Sequence, residues 1–408
     1  MWTGNYKGLD VGSGSYELNP TVWDTIGAAT AASGSTIPTA FGARPPNVAK
    51  DRTACTAETW SFWLLYLGPV LLHNKFENRI YYNHFVELVQ LINICLQFEY
   101  TPADIAKVRT GLAAWVEQYE KLYYQYSSSR LSACPLTTHA LLHIADGMEA
   151  AGPVWAYWAF LMERIDGHVV ATAQLSIIKV QYACEEQIRL GPPKHGLSGA
   201  FTHPSYPTCA LLPPHRSAQA ISDTLANRIT ICLATCFDCH VATIKKYFNP
   251  CEVDQWAKVE RLDGGDRMLA SSMLTSTEDR RDATYVRFEL LVDANARNKR
   301  LAPRYVASSF YGQLQNIFVV KLPPAAELEL TEETTFILAA VTECKVTAQN
   351  SLDMHYYRKE GPLQVVDITS IQCLVGRVQT VNQKEWALEW VVIDRSGSLA
   401  RAKFNVDN

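Results

Sequence analysis

Apolar residues recur at three- and four-residue intervals through much of the first half of the chain. Phe85, Leu88, Val89, Ile92 and then Cys95 or Leu96 trace one stripe, and Ile105, Val108, Leu112, Trp115, Tyr119, Leu122 and Tyr126 trace a second. That spacing puts side chains on one face of a 3.6-residue helix. Thr101 ahead of Pro102 predicts where the second helix starts. A threonine side chain accepts from the open N–H groups of the first turn, and a proline there has no N–H to leave unpaired. A third helix is predicted from Pro135, and a fourth from Pro153 through Trp155, Trp158 and Met162 toward the region from Val169 to Ile188. Neither stripe is stable in water uncovered, so the four helices are expected to pack as one bundle-like unit. The apolar run from Trp60 to Leu72 falls short of the ~20 residues that span a bilayer. It reads as a buried helix broken near Gly68-Pro69, and no membrane partner is expected.

After about Pro250 the period changes to two. Thr284 to Leu291, Tyr311 to Leu322, Thr335 to Thr347, Leu363 to Val378 and Trp386 to Asp394 alternate or are β-branched, with turn residues between them. This predicts a small antiparallel sheet or barrel. The expected class is therefore α+β. Residues 1–56, rich in Gly, Ser, Thr and Pro, read as an irregular N-terminal segment, and residues 57–190 as the helical unit. Residues 191–249 read as a proline-rich linker followed by helix near Ala218 to Phe248, and residues 250–408 as a β-rich accessory domain.

Composition narrows this little. At 408 residues the chain exceeds what one core usually fills. With 37 basic against 41 acidic residues, its net charge of -4 leaves no chain-wide field for nucleic acid, so any DNA-binding surface must be a local patch. Eleven cysteines, odd in number and scattered behind a polar Met1-Trp2-Thr3-Gly4 start, fit a reducing intracellular compartment.

Several long phrases carry a family resemblance. They are Ala57-Glu58-Thr59-Trp60-Ser61-Phe62-Trp63-Leu64-Leu65-Tyr66-Leu67-Gly68-Pro69-Val70-Leu71-Leu72, Trp115 to Glu120, Leu131 to His143, and Gly152 to Gly167, with a looser match from Ser309 to Leu314. In order, they resemble the C-terminal part of fungal CACTA-type (En/Spm) cut-and-paste transposases. The resemblance implies a partial ribonuclease-H-like core carrying a helical insertion. In that family three acids hold two Mg²⁺ or Mn²⁺ ions for phosphodiester cleavage and strand transfer. Glu163 occupies the place of the third acid, with Ile165 where an aromatic is common. The two aspartates would lie before the sequence corresponding to Met1. No metal cofactor is then expected for this chain alone, and the isolated chain is expected to be inactive. Terminal-repeat DNA as the ancestral partner and a nuclear location are likewise implied by the resemblance. The β-rich module resembles the small accessory domain of these transposases and, more distantly, a bromo-adjacent-homology barrel. It suggests a second function, a domesticated module that binds protein or chromatin.

The residues can be weighed directly as well. Glu163 follows the uncharged run from Val154 to Met162 and suits a hard cation, although an acidic residue beginning the polar face of an amphipathic helix has the same pattern. His139 and His143, four apart, share a helix face and could hold a structural zinc with a cysteine elsewhere, buttress Glu163, or simply pack; no glutamate between them supplies a general base. Cys232, Cys236, Cys239 and His240 offer zinc donors, but their helical spacing fits core cysteines better and only the isolated Cys251 follows. Trp155, Tyr157, Trp158 and Phe160 have the spacing of core aromatics and the chemistry of base stacking. Arg297, Lys299, Arg300 and Arg304 form the compact basic cluster that could contact phosphate, or a solvated loop. Tyr311, Tyr356, Tyr357 and Trp386 could line a recognition pocket or fill the barrel.

Overall fold

The N-terminal segment expected to be irregular contains a helix, α1 (Pro20–Ser33). Asn19 accepts from the Thr21 N–H, Pro20 sits at the first position, and Ile26 and Thr30 are buried. The Gly, Ala and Thr between these residues blunt the apolar stripe, which is why the pattern alone reads as coil. The structure, a computed structural model, describes residues 2–3, 16–97, 99–154, 199–263, 266–274, 279–296, 300–382 and 387–395.

The apolar run from Trp60 is continuous rather than broken. α2 (Ala57–Phe62) passes through a π-helical turn, Trp63–Leu67, into α3 (Gly68–Leu71). Pro69 has no N–H for the preceding turn, and a widened turn accommodates that loss without ending the helix. Gly68 is needed here, because a Cβ would lie 2.8 Å from the Phe85 ring of the next helix.

That helix is α4 (Arg79–Cys95), and it packs on α5 (Pro102–Tyr119). Thr101 and Asp104 form the reciprocal capping box at the start of α5. Val108, Leu112, Trp115 and Tyr119 are buried along its stripe, as the spacing predicts. Tyr126 departs from it, lying 60% exposed beyond the π-turn Glu120–Tyr124. α6 (Leu136–Ala140) and α7 (Ile144–Ala151) follow, joined by a tight turn at Leu141–His143. The expected fourth helix is described only as far as residue 154.

The second half is a curled antiparallel sheet, so the α+β class holds. One strand lies where a linker was expected: β1 (Cys209–Gln219) pairs with β2 (Val253–Arg261). Its Pro213-Pro214 falls at a bulge, where no ladder N–H is needed, so the prolines that suggest a loop are tolerated in a strand. Between the two strands lie α8 (Asp223–Cys236) and α9 (Val241–Tyr247), near the predicted helix. β3 (Arg267–Leu269) adds to β2. β4 (Tyr285–Asp293), β5 (Tyr305–Leu322), β6 (Thr334–Gln349) and β7 (His355–Asp367) follow. The single segment read from Leu363 to Val378 divides into the end of β7, β8 (Ile371–Leu374) and the start of β9 (Gly376–Asn382). β10 (Ala387–Ile393) closes against β7 and β9.

The long strand β5 organises the sheet. Along one edge it pairs with β4 in its first half and with β2 in its second, while β6 joins its other edge only from Gly312 onward. One hydrophobic core runs from Tyr16 and Ile26 through Leu67 and Leu112 into Val259, Phe288 and Ile337 of the sheet. A smaller core lies beneath α8 and α9, with Ile229, Leu233 and Ile244 against Phe318 and Leu338. The helices and the sheet thus share packing across the expected boundary near residue 250.

Candidate functional site

Glu163 lies outside the described residues, as do Trp155, Tyr157, Trp158, Phe160, Arg297, Lys299 and Trp386. Convergence of His139 and His143 on Glu163 therefore falls outside them too. The two histidines do meet each other, with Nε2 atoms 3.3 Å apart and ring centroids 5.0 Å apart. Both are exposed. Asp146 approaches His143 Nδ1 at 4.0 Å, but its carboxylate also accepts from Arg109 at 3.0 Å. Among the described residues no group of three or more His, Cys, Asp or Glu is arranged to hold a metal ion.

The cysteine cluster resolves into a helical pair. Cys232 and Cys236 sit one turn apart on α8, and a hydrogen bond from Cys232 lowers the Cys236 thiol to about 7 while the Cys232 thiol rises. His240 is committed elsewhere. Its Nδ1 accepts from the Ala242 N–H and caps α9.

The basic cluster has a definite setting. Beyond Phe288, where β8 pairing ends, and ahead of Gly312, where β6 pairing begins, β4 and β5 pair only with each other among the described residues, as a two-stranded ribbon. Asp293 holds its end by accepting from Asn295 N and Arg304 N, both at 2.8 Å. Leu291 and Tyr305 on this ribbon are 72% and 66% exposed. Arg300 and Arg304 lie exposed at its tip. The pattern identified these cations; their placement on a projecting ribbon follows from unequal strand lengths, which periodicity does not report.

A cleft of about 1140 Å³ between α4, α5 and the sheet escaped the sequence reading. Its floor carries Arg287, Tyr311, His355 and Asp394. The Tyr311 hydroxyl donates to Asp394 Oδ2 at 3.1 Å, Arg287 Nη1 lies 3.4 Å from the same oxygen, and the Tyr311 and His355 rings are 4.9 Å apart. Desolvation pushes the Tyr311 hydroxyl up and the His355 imidazole down, so both favour their neutral forms. This arrangement braces β10 against β4 and β5, with every charge close to an opposite one. Tyr357 is buried beside Tyr285 and Cys344 as interior packing, and Tyr356 is half-buried. The one available signal was Arg287, a cation inside the β-branched and aromatic run Tyr285-Val286-Arg287-Phe288.

Comparison with known protein families, curated proteins and solved structures gives no match for this chain. No described helix is long and apolar enough to cross a membrane.

Proposed function

We propose that this chain is transposase-derived, a C-terminal part of a CACTA-type cut-and-paste enzyme that contacts DNA but does not cleave it alone. The reading rests on the phrases, in order, that resemble the family; four fall on described residues, in α2 to α3, at the end of α5, around α6 and in β5. The exposed cations Arg300 and Arg304 on the β4–β5 ribbon support DNA contact, since a projecting basic ribbon brings charge to a groove or backbone without requiring a basic chain. In this reading Glu163 is the third acid of a ribonuclease-H-like core. One carboxylate cannot position two dications and offset their repulsion, so the chain needs further acids before Mg²⁺ or Mn²⁺ can act.

The test is to incubate the purified chain with terminal-repeat DNA and Mg²⁺ or Mn²⁺, alongside Glu163→Gln. Mobility shift without cleavage is expected, with the salt slope reduced by about 0.9 for each of Arg300→Ala and Arg304→Ala. Cleavage by the parent chain, lost in Glu163→Gln, would overturn the inactive-fragment reading.

The exposed Leu291 and Tyr305 favour a second reading, a domesticated module that binds protein or chromatin through the β ribbon. Absence of any DNA shift, with retention of a chromatin fraction that Leu291→Ser abolishes, would select it.

A further inference from the structure

A second pocket, of about 640 Å³, lies between the N-terminal segment and the helical unit, and its size suits a small organic ligand. Trp2, Trp23 and Trp60 line it and are half-buried, whereas Trp63, His84 and Trp115 are buried behind them. The inner rings are fixed. His84 stacks on Trp115 at 4.3 Å and 7°, and Trp63 meets Trp60 and Trp23 edge-on at 6.0 and 6.1 Å.

The indole N–H groups divide into two kinds. Those of Trp2, Trp63 and Trp115 are engaged, donating to Tyr123 Oη, Thr30 Oγ1 and the His84 carbonyl. Those of Trp23 and Trp60 donate to no described residue. Arg52, exposed beside them, makes no ion pair with a described residue, and no described residue lining the pocket is a carboxylate.

This chemistry selects among ligand classes. A quaternary or methylated ammonium would suit the rings but be repelled by Arg52, with no acid in the described lining to offset it. A sugar needs amide or carboxylate partners for its hydroxyls, and the described lining supplies none. An acyl chain would desolvate a guanidinium and two indole donors without satisfying them. A flat ring with edge acceptors and an attached anion satisfies all three features: stacking on tryptophan, donation from indole N–H, and a phosphate on Arg52.

We propose that this pocket receives one unstacked nucleobase, with its adjoining phosphate held by Arg52. The inference deepens the DNA-binding reading and rests on it for the choice of deoxyribonucleotide probes; the pocket chemistry itself fits a free nucleotide equally.

The experiment uses the full chain and a short single-stranded oligodeoxynucleotide carrying one 2-aminopurine, whose fluorescence is quenched when the base stacks on tryptophan. A second arm uses 2-aminopurine deoxyribonucleoside monophosphate, and a third competes with an oligonucleotide that is abasic at that position. Quenching by the oligonucleotide, with poor competition by the abasic strand, is the expected result and identifies a strand as the source. Quenching in the monophosphate arm alone supports the same chemistry with a free nucleotide as ligand. Trp60→Ala should weaken binding roughly 5- to 150-fold, and Trp60→Phe should retain most of it. Arg52→Ala should lower the salt slope by about 0.7. Thermal melts of each variant report whether it still folds, and Trp60→Phe keeps the test decisive if the alanine variant does not. Absence of quenching in both arms, or equal competition by the abasic strand, would overturn the pocket. A terminal-repeat duplex shift that persists in that case shows that the DNA-binding reading stands without it.

Discussion

The helical half and the sheet half hold their interiors together by different chemistry. Between α1 and α7 the buried residues are mainly rings and aliphatics, and the buried polar groups close locally; His84 and Trp115 exchange two hydrogen bonds, at 3.0 and 2.7 Å. Arg130 is the buried cation of that half, bonded to the hydroxyl of Tyr16 and the amide oxygen of Gln125. The sheet half instead buries Arg281 and Arg287 and nearly buries Arg377, each beside a carboxylate. Dispersion and hydrophobic burial are non-directional and tolerate small shifts, whereas a buried guanidinium tolerates only the geometry that satisfies it. The sheet half therefore has the more sharply specified edges, and those edges also attach the N-terminal segment. Arg281 donates to the Gly42 carbonyl at 2.6 Å, and Thr36 and Arg377 exchange contacts through the Arg377 N–H and carbonyl.

The largest expected effect comes from Arg377. Its guanidinium lies 3.4 Å from the Tyr285 ring centroid and 4.5 Å from that of Trp390, and it pairs with Asp282 at 2.8 Å. Arg377→Ala leaves Asp282, 19% exposed, without that partner and removes two ring contacts. A loss of about 3–5 kcal/mol is expected from urea unfolding. A loss below about 1 kcal/mol would break the claim that the sheet half depends on its ions. Leu112→Ala, at a position 1% exposed on α5, should cost about 2–5 kcal/mol through lost burial and the cavity left behind. It sharpens the contrast if the double variant is additive, because the two sites share no partner.

Legibility in the sequence followed the same division. The stripes of α4 and α5 are readable because a helix repeats its burial every three or four residues, and Leu112 and Trp115 point inward as that repeat requires. β4, β5, β6 and β10 are similarly readable from alternation. α1 is hidden by its small residues and β1 by two adjacent prolines. The cleft is hidden for a different reason: Arg287 and Asp394 are 107 residues apart, and no local pattern reports a pairing made by sheet curvature. His139 and His143 were legible as a pair because four-residue spacing suffices to bring them together.

A smaller effect should appear with pH. Desolvation depresses the His84 pKa below its unfolded value, so the native state holds this ring neutral. Stability from His84 is fully present above the unfolded value of about 6.5 and is lost as pH falls toward the folded pKa, because the unfolded chain binds the proton first. One such proton gives a slope of at most about 1.4 kcal/mol per pH unit. His84→Asn should be less stable at neutral pH yet show a shallower acid slope in the same titration. An unchanged slope would mean that the buried ring of the helical half is not what senses acid.

The smallest expected effect tests whether the two chemistries belong to one folding unit. Thr101 caps α5 from an exposed position, and its side chain both accepts from the Asp104 N–H and donates to the Asp104 carboxylate. Thr101→Ala removes the cap and should cost about 1 kcal/mol. How that cost is distributed matters more than its size. The main core includes Leu112 of α5 together with Phe288 and Ile337 of the sheet, and α1 and α3 pack directly on β9, so loss of α5 reaches the sheet through that shared interior. If the halves unfold together, helix loss followed by far-ultraviolet circular dichroism and sheet opening followed by hydrogen exchange of the β5 and β6 amides should shift by the same amount. A shift confined to the helical signal would show two independently stable halves despite their shared packing. Coincident shifts would mean that a single helix cap on the aromatic side also stabilises the ionic side, through the shared core and the hydrogen bonds that join the two halves.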